Sequence, residues 1–321
     1  VKAAVYDHTG GPEVLRYDDV ADPVCHPRGV VIEVKAVSIE GGDVLNRAGG
    51  ALTSHPHIVG YQCAGVIREV GPEVTDLHEG QSVVAVMGSG SHAQLVGVPA
   101  AACWVVPDGL PLEEAACVPV PFGTADDCLF EFGRLQEGET ALIQAGAGGV
   151  GIAAIQLAKR AGATVIATAS QDDKLRRLAD LGVDHGVNYA TSDFVAEVRR
   201  LTDGRGVDVV VDPVGGTVLA GSLKCLGYRG RCMTVGNAGR EAGERQDVQS
   251  LMGGNQSLTG VFLGAEMRTE RVQRMIARHL DDIVAGRLKV IVDRSFPLSE
   301  AAAAHAYVES RQAFGRVLLI P

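Results

Sequence analysis

The sequence lacks an excess of positive charge. Its 29 lysines and arginines are outnumbered by 39 aspartates and glutamates, for a formal net charge of -10. That balance argues against a nucleic-acid backbone or an anionic membrane as the main partner, because both need a basic face. Paired cysteines are also missing. The seven, at positions 25, 63, 103, 117, 128, 225 and 232, are scattered and form no Cys-x-x-Cys. Such spacing indicates neither a disulfide framework nor a zinc ribbon, and reduced thiols in a cytoplasm are the simplest account. No apolar run approaches the length that spans a bilayer, and VKAAVYDHTGG at the start has no basic segment followed by an apolar core. A soluble cytoplasmic protein is therefore expected. What is abundant is glycine, with 41 among 321 residues. That is about twice the usual share, as suits tight turns or close approach of backbone to a ligand. The length suits two domains of ordinary size, and 46% hydrophobic with 21% charged residues is a globular composition.

The first third holds short apolar runs broken by Gly, Pro and Asp: VVIEVKAVSI, AGVIREVG, QSVVAVMG and AQLVGV. Their length and valine content predict β-strands. PLEEAACVPVPFGTADDCLFEFGRL reads as helical, with Glu113 and Glu114 in a first turn. A regular alternation follows. ALIQAG is a strand, and GGVGIAAIQLAKRAG a helix with Val150, Ala153, Ala154, Leu157 and Ala158 on one face. TVIATAS is a strand, DDKLRRLADLG a helix, GVNY a strand, and SDFVAEVRRLTDG a helix capped by Ser192 or Asp193. VDVVVDPVGG, LAGSLKCLG and RCMTVGN repeat the pattern, SLTGVFLG adds a final strand, and an amphipathic helix runs from about Thr269 to Gly286. Alternation of this kind means β-α-β units and a parallel sheet covered on both faces. The tail, KVIVDRSFPLSEAAAAHAYVESRQAFGRVLLIP, ends in another strand.

The glycines cluster most tightly in AGAGGVG, residues 145–151, where the first parallel strand turns into its helix. Gly146, Gly148 and Gly151 fit the G-x-G-x-x-G spacing, with Gly149 and Val150 between them. At that point the chain turns tightly, backbone touches a pyrophosphate, and helix and strand pack closely; the helix N-terminus supplies positive potential. A lone motif is weak, and a close helix-strand contact would explain it equally. The flanking strand, the helix and the further β-α units make it a dinucleotide site. At the end of the second strand an NAD site places a carboxylate. Here Ser170 stands in that place and Lys174 follows. A hydroxyl and an ammonium suit a 2′-phosphate, so NADPH is the expected cofactor. Asp172 and Asp173 would cap and open the next helix; turned inward, either would favour NADH.

SHPHIVGYQCAG, residues 54–65, brings His55, His57 and Cys63 within nine positions, enough to raise the question of zinc. The wider sequence resolves it through a resemblance. KAAVYDHTGGPEVL, GGDVLNRAGG with Asp43 and Arg47, AGVIREVG, EEAACVPVPFGTA, AGAGGVGIAAIQLAKRAGATVIATAS, LGVDHGVNY, GVDVVVDPVGG and the closing LLIP together resemble the medium-chain dehydrogenase/reductase superfamily. The similarity is to its zinc-free quinone oxidoreductase branch, the zeta-crystallin-like proteins, and covers essentially the whole chain.

The resemblance implies an α/β architecture: a Rossmann doubly wound parallel sheet domain, 116–265, inserted into a β-rich GroES-like catalytic domain made of 1–115 and 266–321. It implies that Tyr189 meets the adenosine end of the cofactor and that Arg311 helps bind its 2′-phosphate. Gly236, Asn237, Phe262 and Leu263 would lie near the nicotinamide, and Thr124 near its ribose. Zinc-dependent relatives carry Cys in the segment matching SIEGGD and Gly-His-Glu where this chain has Gly60-Tyr61-Gln62, so no metal is expected. The implied activity is zinc-independent hydride transfer from NADPH to a quinone or another conjugated carbonyl. The rivals are a 2-enoyl thioester reductase and a low-turnover NADPH-binding redox sensor or structural protein. A homodimer through the edge strand near 257–263 is implied as well.

Hydride transfer asks the protein for position, a dry pocket and donors toward developing negative charge. Tyr61 is the first candidate donor, against the alternative of a half-buried core tyrosine. Glu40 stands where the branch usually has Asn, and Asp126 where it usually has an aromatic residue. Facing the pocket, they would favour a more polar acceptor than a flat quinone; Glu40 facing solvent is the alternative. Asp43 and Arg47 would form an ion pair that shapes their loop.

Overall fold

Valines and isoleucines at alternate positions of GVVIEVKAVS make Gly29–Ser38 a strand whose Val30, Ile32 and Val34 point into a core while Glu33 and Lys35 stay exposed. It is the centre of a seven-stranded sheet. Gln62–Val70 and Leu95–Pro99 pair antiparallel with it, and so does Arg316–Ile320 from the far end of the chain, with Leu318 opposite Ser38. Ile32, Val37, Val59, Cys63, Ile67, Val83, Val317 and Leu319 form one buried cluster on this sheet. Each such aliphatic side chain contributes roughly 1.5–3 kcal/mol by leaving water. The structure, a computed structural model, describes residues 1–240 and 246–321. They form two units: Val1–Val120 with Glu266–Pro321, and Pro121–Ala265.

Among the described residues, the second unit is built on six strands, all parallel. Their order is His185–Asn188, Thr164–Ala169, Thr140–Ile143, Val207–Asp212, Leu226–Thr234 and Ser257–Gly260. Counted along the chain this is 3-2-1-4-5-6, the doubly wound order whose direction reverses between the first and fourth strands. A strand covered on both faces reads as a continuous apolar run, and VDVVVD is buried along almost its whole length.

Several elements depart from the sequence expectation for identifiable reasons. The helix Gly149–Arg160 is buried on every side from Gly151 to Ala158, not along one face, because its small residues let it sit inside the unit. The expected long helix from residue 111 is divided into Leu112–Ala115 and Pro119–Asp126, with a wider π turn over Asp127–Glu131; Pro119 and Pro121 have no N–H to continue the ladder. The last strand ends at Gly260, since its neighbour ends at Thr234, and Leu263–Glu266 is a helical turn. Asp193, not Ser192, caps Phe194–Leu201, accepting from the amides of Val195 and Ala196. The amphipathic helix spans Glu270–Val284, with Thr269 as its cap. Among the described residues no helix is long and apolar enough to cross a membrane.

Candidate active site

In the second unit the predicted binding residues gather at the carboxyl ends of the parallel strands. AGAGGVG follows the first strand, Ser170 and Lys174 the second, Tyr189 the third, Gly236 and Asn237 the fifth, Phe262 and Leu263 the sixth. Ala145 takes a left-handed φ of 50° to start the turn. A Cβ on Gly151 would lie 2.4 Å from the Ala145 carbonyl, so only glycine lets helix and strand approach so closely. On Gly146 it would meet Ala167 at 3.1 Å and Leu178 at 3.0 Å. Gly148 is different: it is exposed, and a Cβ there meets nothing nearer than the Ala145 carbonyl at 3.4 Å. Gly148 is also the N-cap of Gly149–Arg160 and brings no side chain to the helix end, which leaves the amides of Gly149, Val150 and Gly151 unanswered by a cap. Crowded, open and crowded glycines in that order suit an anion over the helix N-terminus.

Ser170 is half-buried and Lys174 buried within Asp172–Ala179. The two aspartates beside them are committed elsewhere. Asp172 accepts from Asn188 Nδ2 at 2.7 Å, and Asp173 pairs with Arg176 at 3.1 Å. Neither caps the helix through its side chain; Gln171 occupies the N-cap. Tyr189 is 45% exposed and Phe262 75% exposed, whereas Leu263 and Thr124 are buried. Asp126 is buried in the helix Pro119–Asp126. Arg311 belongs to the other unit, in the turn after Ala301–Glu309, with a left-handed φ of 58°.

The first unit gathers a second set. Glu40 faces neither an open acidic pocket nor solvent. It is 3% exposed, and its Oε1 accepts from Gln62 Nε2 at 3.0 Å, from Ser38 Oγ at 3.2 Å and from the Arg316 guanidinium. Arg316 also donates to Ser38 Oγ (2.7 and 3.0 Å) and to the Ile39 carbonyl (2.6 Å). Gln62 Oε1 accepts from the Val120 amide at 2.6 Å. The arginine was not singled out from sequence, because it enters from the last strand, 276 residues beyond its glutamate. Burial lifts the Glu40 carboxyl above its ordinary value, against the pull of Arg316 and Ser38. The expected Asp43–Arg47 pair does not form. Asp43 Oδ2 accepts from the Glu40 amide at 2.8 Å in a capping box for Gly41–Gly49, and Arg47 turns to Glu309.

Tyr61 packs on Gly42: a Cβ there would lie 2.6 Å from its hydroxyl oxygen. Burial first, then the Asp43 and Glu40 carboxylates, push the phenol well above its usual range, so it keeps its proton at neutral pH. His57 is buried with its ring edge-on to Tyr6 at 5.2 Å, Cys63 is buried in the central sheet, and His55 is exposed. These donors do not fit a zinc ion. The Glu40 carboxylate and the Gln62 amide are consumed within the protein, and among the described residues no group of three His, Cys, Asp or Glu side chains is placed to hold a metal.

Residues 26–108 match the family described as alcohol dehydrogenase GroES-like domain, and residues 149–279 the one described as zinc-binding dehydrogenase. A 2-haloacrylate reductase of Burkholderia sp is 35% identical over 330 residues, covering 100% of this chain and 99% of its own. The quinone oxidoreductase of Escherichia coli, solved in complex with NADPH, superposes with a TM-score of 0.95 at 29% identity over 100% of both chains. That of Pseudomonas syringae pv. Tomato superposes at 0.94 with 30% identity, covering 100% of this chain and 99% of its own.

Proposed function

The chain belongs to the medium-chain dehydrogenase/reductase superfamily, in its zinc-free quinone oxidoreductase branch, and from that premise we propose that it is a reductase passing hydride from NADPH to a quinone or another conjugated carbonyl. The observation that carries the proposal is the glycine turn at the reversal of a 3-2-1-4-5-6 sheet, open at Gly148 and crowded at Gly146 and Gly151. In this proposal Gly146, Gly148, Gly149, Val150 and Gly151 hold the pyrophosphate. Ser170, Lys174 and Arg311 receive the 2′-phosphate, and Tyr189 borders the adenosine. Gly236, Asn237, Phe262 and Leu263 seat the nicotinamide, with Thr124 near its ribose. The commitment of Asp172 to Asn188 and of Asp173 to Arg176 supports NADPH over NADH, since both carboxylates after the second strand are engaged within the protein.

Bound there, the reduced nicotinamide would supply the hydride. Tyr61, protonated at neutral pH, is assigned as the donor to the acceptor oxygen on which negative charge develops. Glu40 acts behind it: held by Arg316, Gln62 and Ser38, its carboxylate stiffens the floor under Tyr61 and does not itself meet the acceptor. The name of the Burkholderia relative extends the acceptors worth testing to conjugated acids. We place the protein in the cytoplasm and pair it with a second copy through the edge strand Ser257–Gly260, where Tyr228, Met252 and Phe262 are exposed.

Steady-state oxidation of NADPH against a panel of quinones and enones tests the activity. Turnover on at least one class is expected, and tight NADPH binding with no turnover on any would instead support a sensor or structural protein.

A further inference from the structure

Four buried polar side chains outside the residues assigned above form one line through the second unit. Thr168, Gln144, Ser222 and Asp212 are each no more than 2% exposed. They come from different places. Thr168 lies in the second strand, Gln144 just past the first, Asp212 at the end of the fourth, and Ser222 in the helix Gly216–Cys225. The Ala145 amide donates to Thr168 Oγ1 at 3.2 Å, and Thr168 donates to Gln144 Oε1 at 2.7 Å. Gln144 Nε2 donates to Ser222 Oγ at 3.0 Å, and Ser222 donates to Asp212 Oδ2 at 2.7 Å. Asp212 Oδ1 closes the line, accepting from the amides of Val214 at 2.8 Å and Gly215 at 2.9 Å.

Burial raises the Asp212 carboxyl against the bonds it accepts from Gly215, Ser222 and Val214, and the direction of donation follows from its ionised form. An ionised carboxylate only accepts, so the Ser222 proton points to it, the Gln144 amide must donate to Ser222, and its oxygen is left for Thr168. Bonds aligned in one direction inside a protein reinforce one another, and a line cut in the middle leaves two buried groups unanswered.

The ends of this line are the two turns that matter. One end is Ala145, which opens the glycine turn; the other is Gly215, at a left-handed φ of 76°. A third turn hangs from the second: Ala238 donates to the Pro213 carbonyl at 3.1 Å and Gly239 to that of Val214 at 2.9 Å, which carries Gly236 and Asn237 with it. Past Ile143 and Asp212 the backbone adds only single bonds, Gln144 N–H to the Val211 carbonyl at 3.0 Å and Val235 N–H to the Asp212 carbonyl at 3.0 Å, and the side-chain line joins the two turns beyond them.

We propose that Gln144 and Ser222 are positioning residues of the coenzyme site, holding the pyrophosphate turn and the nicotinamide-side turns at the separation one dinucleotide requires. This rests on the NADPH site proposed above. The two halves of the coenzyme are bound by different turns, so loosening their connection harms the whole molecule and spares a fragment that touches only one.

Ser222→Ala and Gln144→Leu, singly and together, are titrated with NADPH and with 2′,5′-ADP, which reaches only the adenosine half, and their KM for NADPH and kcat are measured. Each single change is expected to weaken NADPH about tenfold or more, with KM rising and kcat falling, while 2′,5′-ADP stays within about twofold of wild type. The double variant should be no weaker than the weaker single, because either cut breaks the same line. Thr168→Val makes an independent cut should Ser222→Ala fail to fold. Equal weakening of both ligands, no weakening of either, or losses that multiply in the double variant would overturn the inference. Wild-type protein that binds no NADPH would overturn the coenzyme assignment itself, an outcome distinct from variants that bind as wild type does.

Discussion

Lys174 is buried within the helix after the second strand of the nucleotide sheet, and in the proposed site its ammonium would meet the 2′-phosphate as a compact point charge. Lys174→Ala should weaken NADPH by roughly 10- to 100-fold, as expected for a lost bond to a charged group, while NADH changes little. Fluorescence titration with both nucleotides checks this, and equal losses would refute the role. Tyr61→Phe should lower kcat roughly 100-fold with KM for NADPH unchanged, because it removes a donor used as charge develops. Gly42→Ala should reproduce part of that loss, since the added methyl would stand 2.6 Å from the Tyr61 oxygen; unchanged kcat in both variants would remove Tyr61 from the chemistry. At this scale the sequence was informative about local shape, the close helix-strand contact at Gly146 and Gly151 following from their place in one turn. It was silent on Gln144 and Ser222, polar residues in apolar runs whose partners lie 24 and 78, and 10 and 78, residues away.

Among elements, the closing strand Arg316–Ile320 does more than complete a sheet. It delivers Arg316 to the N-cap of Gly41–Gly49, joining chain segments that sequence order separates. Arg316→Leu leaves the Glu40 carboxylate buried without its cation and should cost about 3–5 kcal/mol, measured by urea unfolding. The pH dependence follows from the direction of the Glu40 shift. A carboxyl held above its ordinary 4.5 in the folded chain contributes stability that is complete below that value and is lost as pH rises through the folded one. Relative to Glu40→Gln, wild type should therefore lose stability as pH rises above the ordinary 4.5, and a constant difference between the two would contradict it. Asp43 and Arg47, four apart on one helix, are drawn apart: Asp43 gives its Oδ2 to the helix start, and Arg47 turns to Glu309. Helix spacing alone favours the pair, and only tertiary structure shows Glu309 waiting for Arg47.

For the molecule as a whole, alternating strands and helices gave the parallel sheet, and the apolar tail was consistent with a returning strand. The pairing of Leu318 with Ser38 required the fold. The open strand Ser257–Gly260 with Phe262 beyond it is the surface assigned to a second copy, and Phe262→Glu should shift sedimentation from dimer to monomer. An unchanged oligomer would place the interface elsewhere. The central claim is hydride transfer from NADPH to a conjugated acceptor by a site whose residues are committed to one another and not to zinc. NADPH deuterated at the transferable C4 position, incubated with chelator-treated protein and the best acceptor of the quinone and enone panel, tests it directly by mass spectrometry of the reduced product. Where the acceptor is a quinone, whose hydroquinone exchanges the label, an enone of the same panel replaces it. The account predicts one deuterium on carbon in the product at an undiminished rate; unlabelled product, or activity restored only by added zinc, would contradict it.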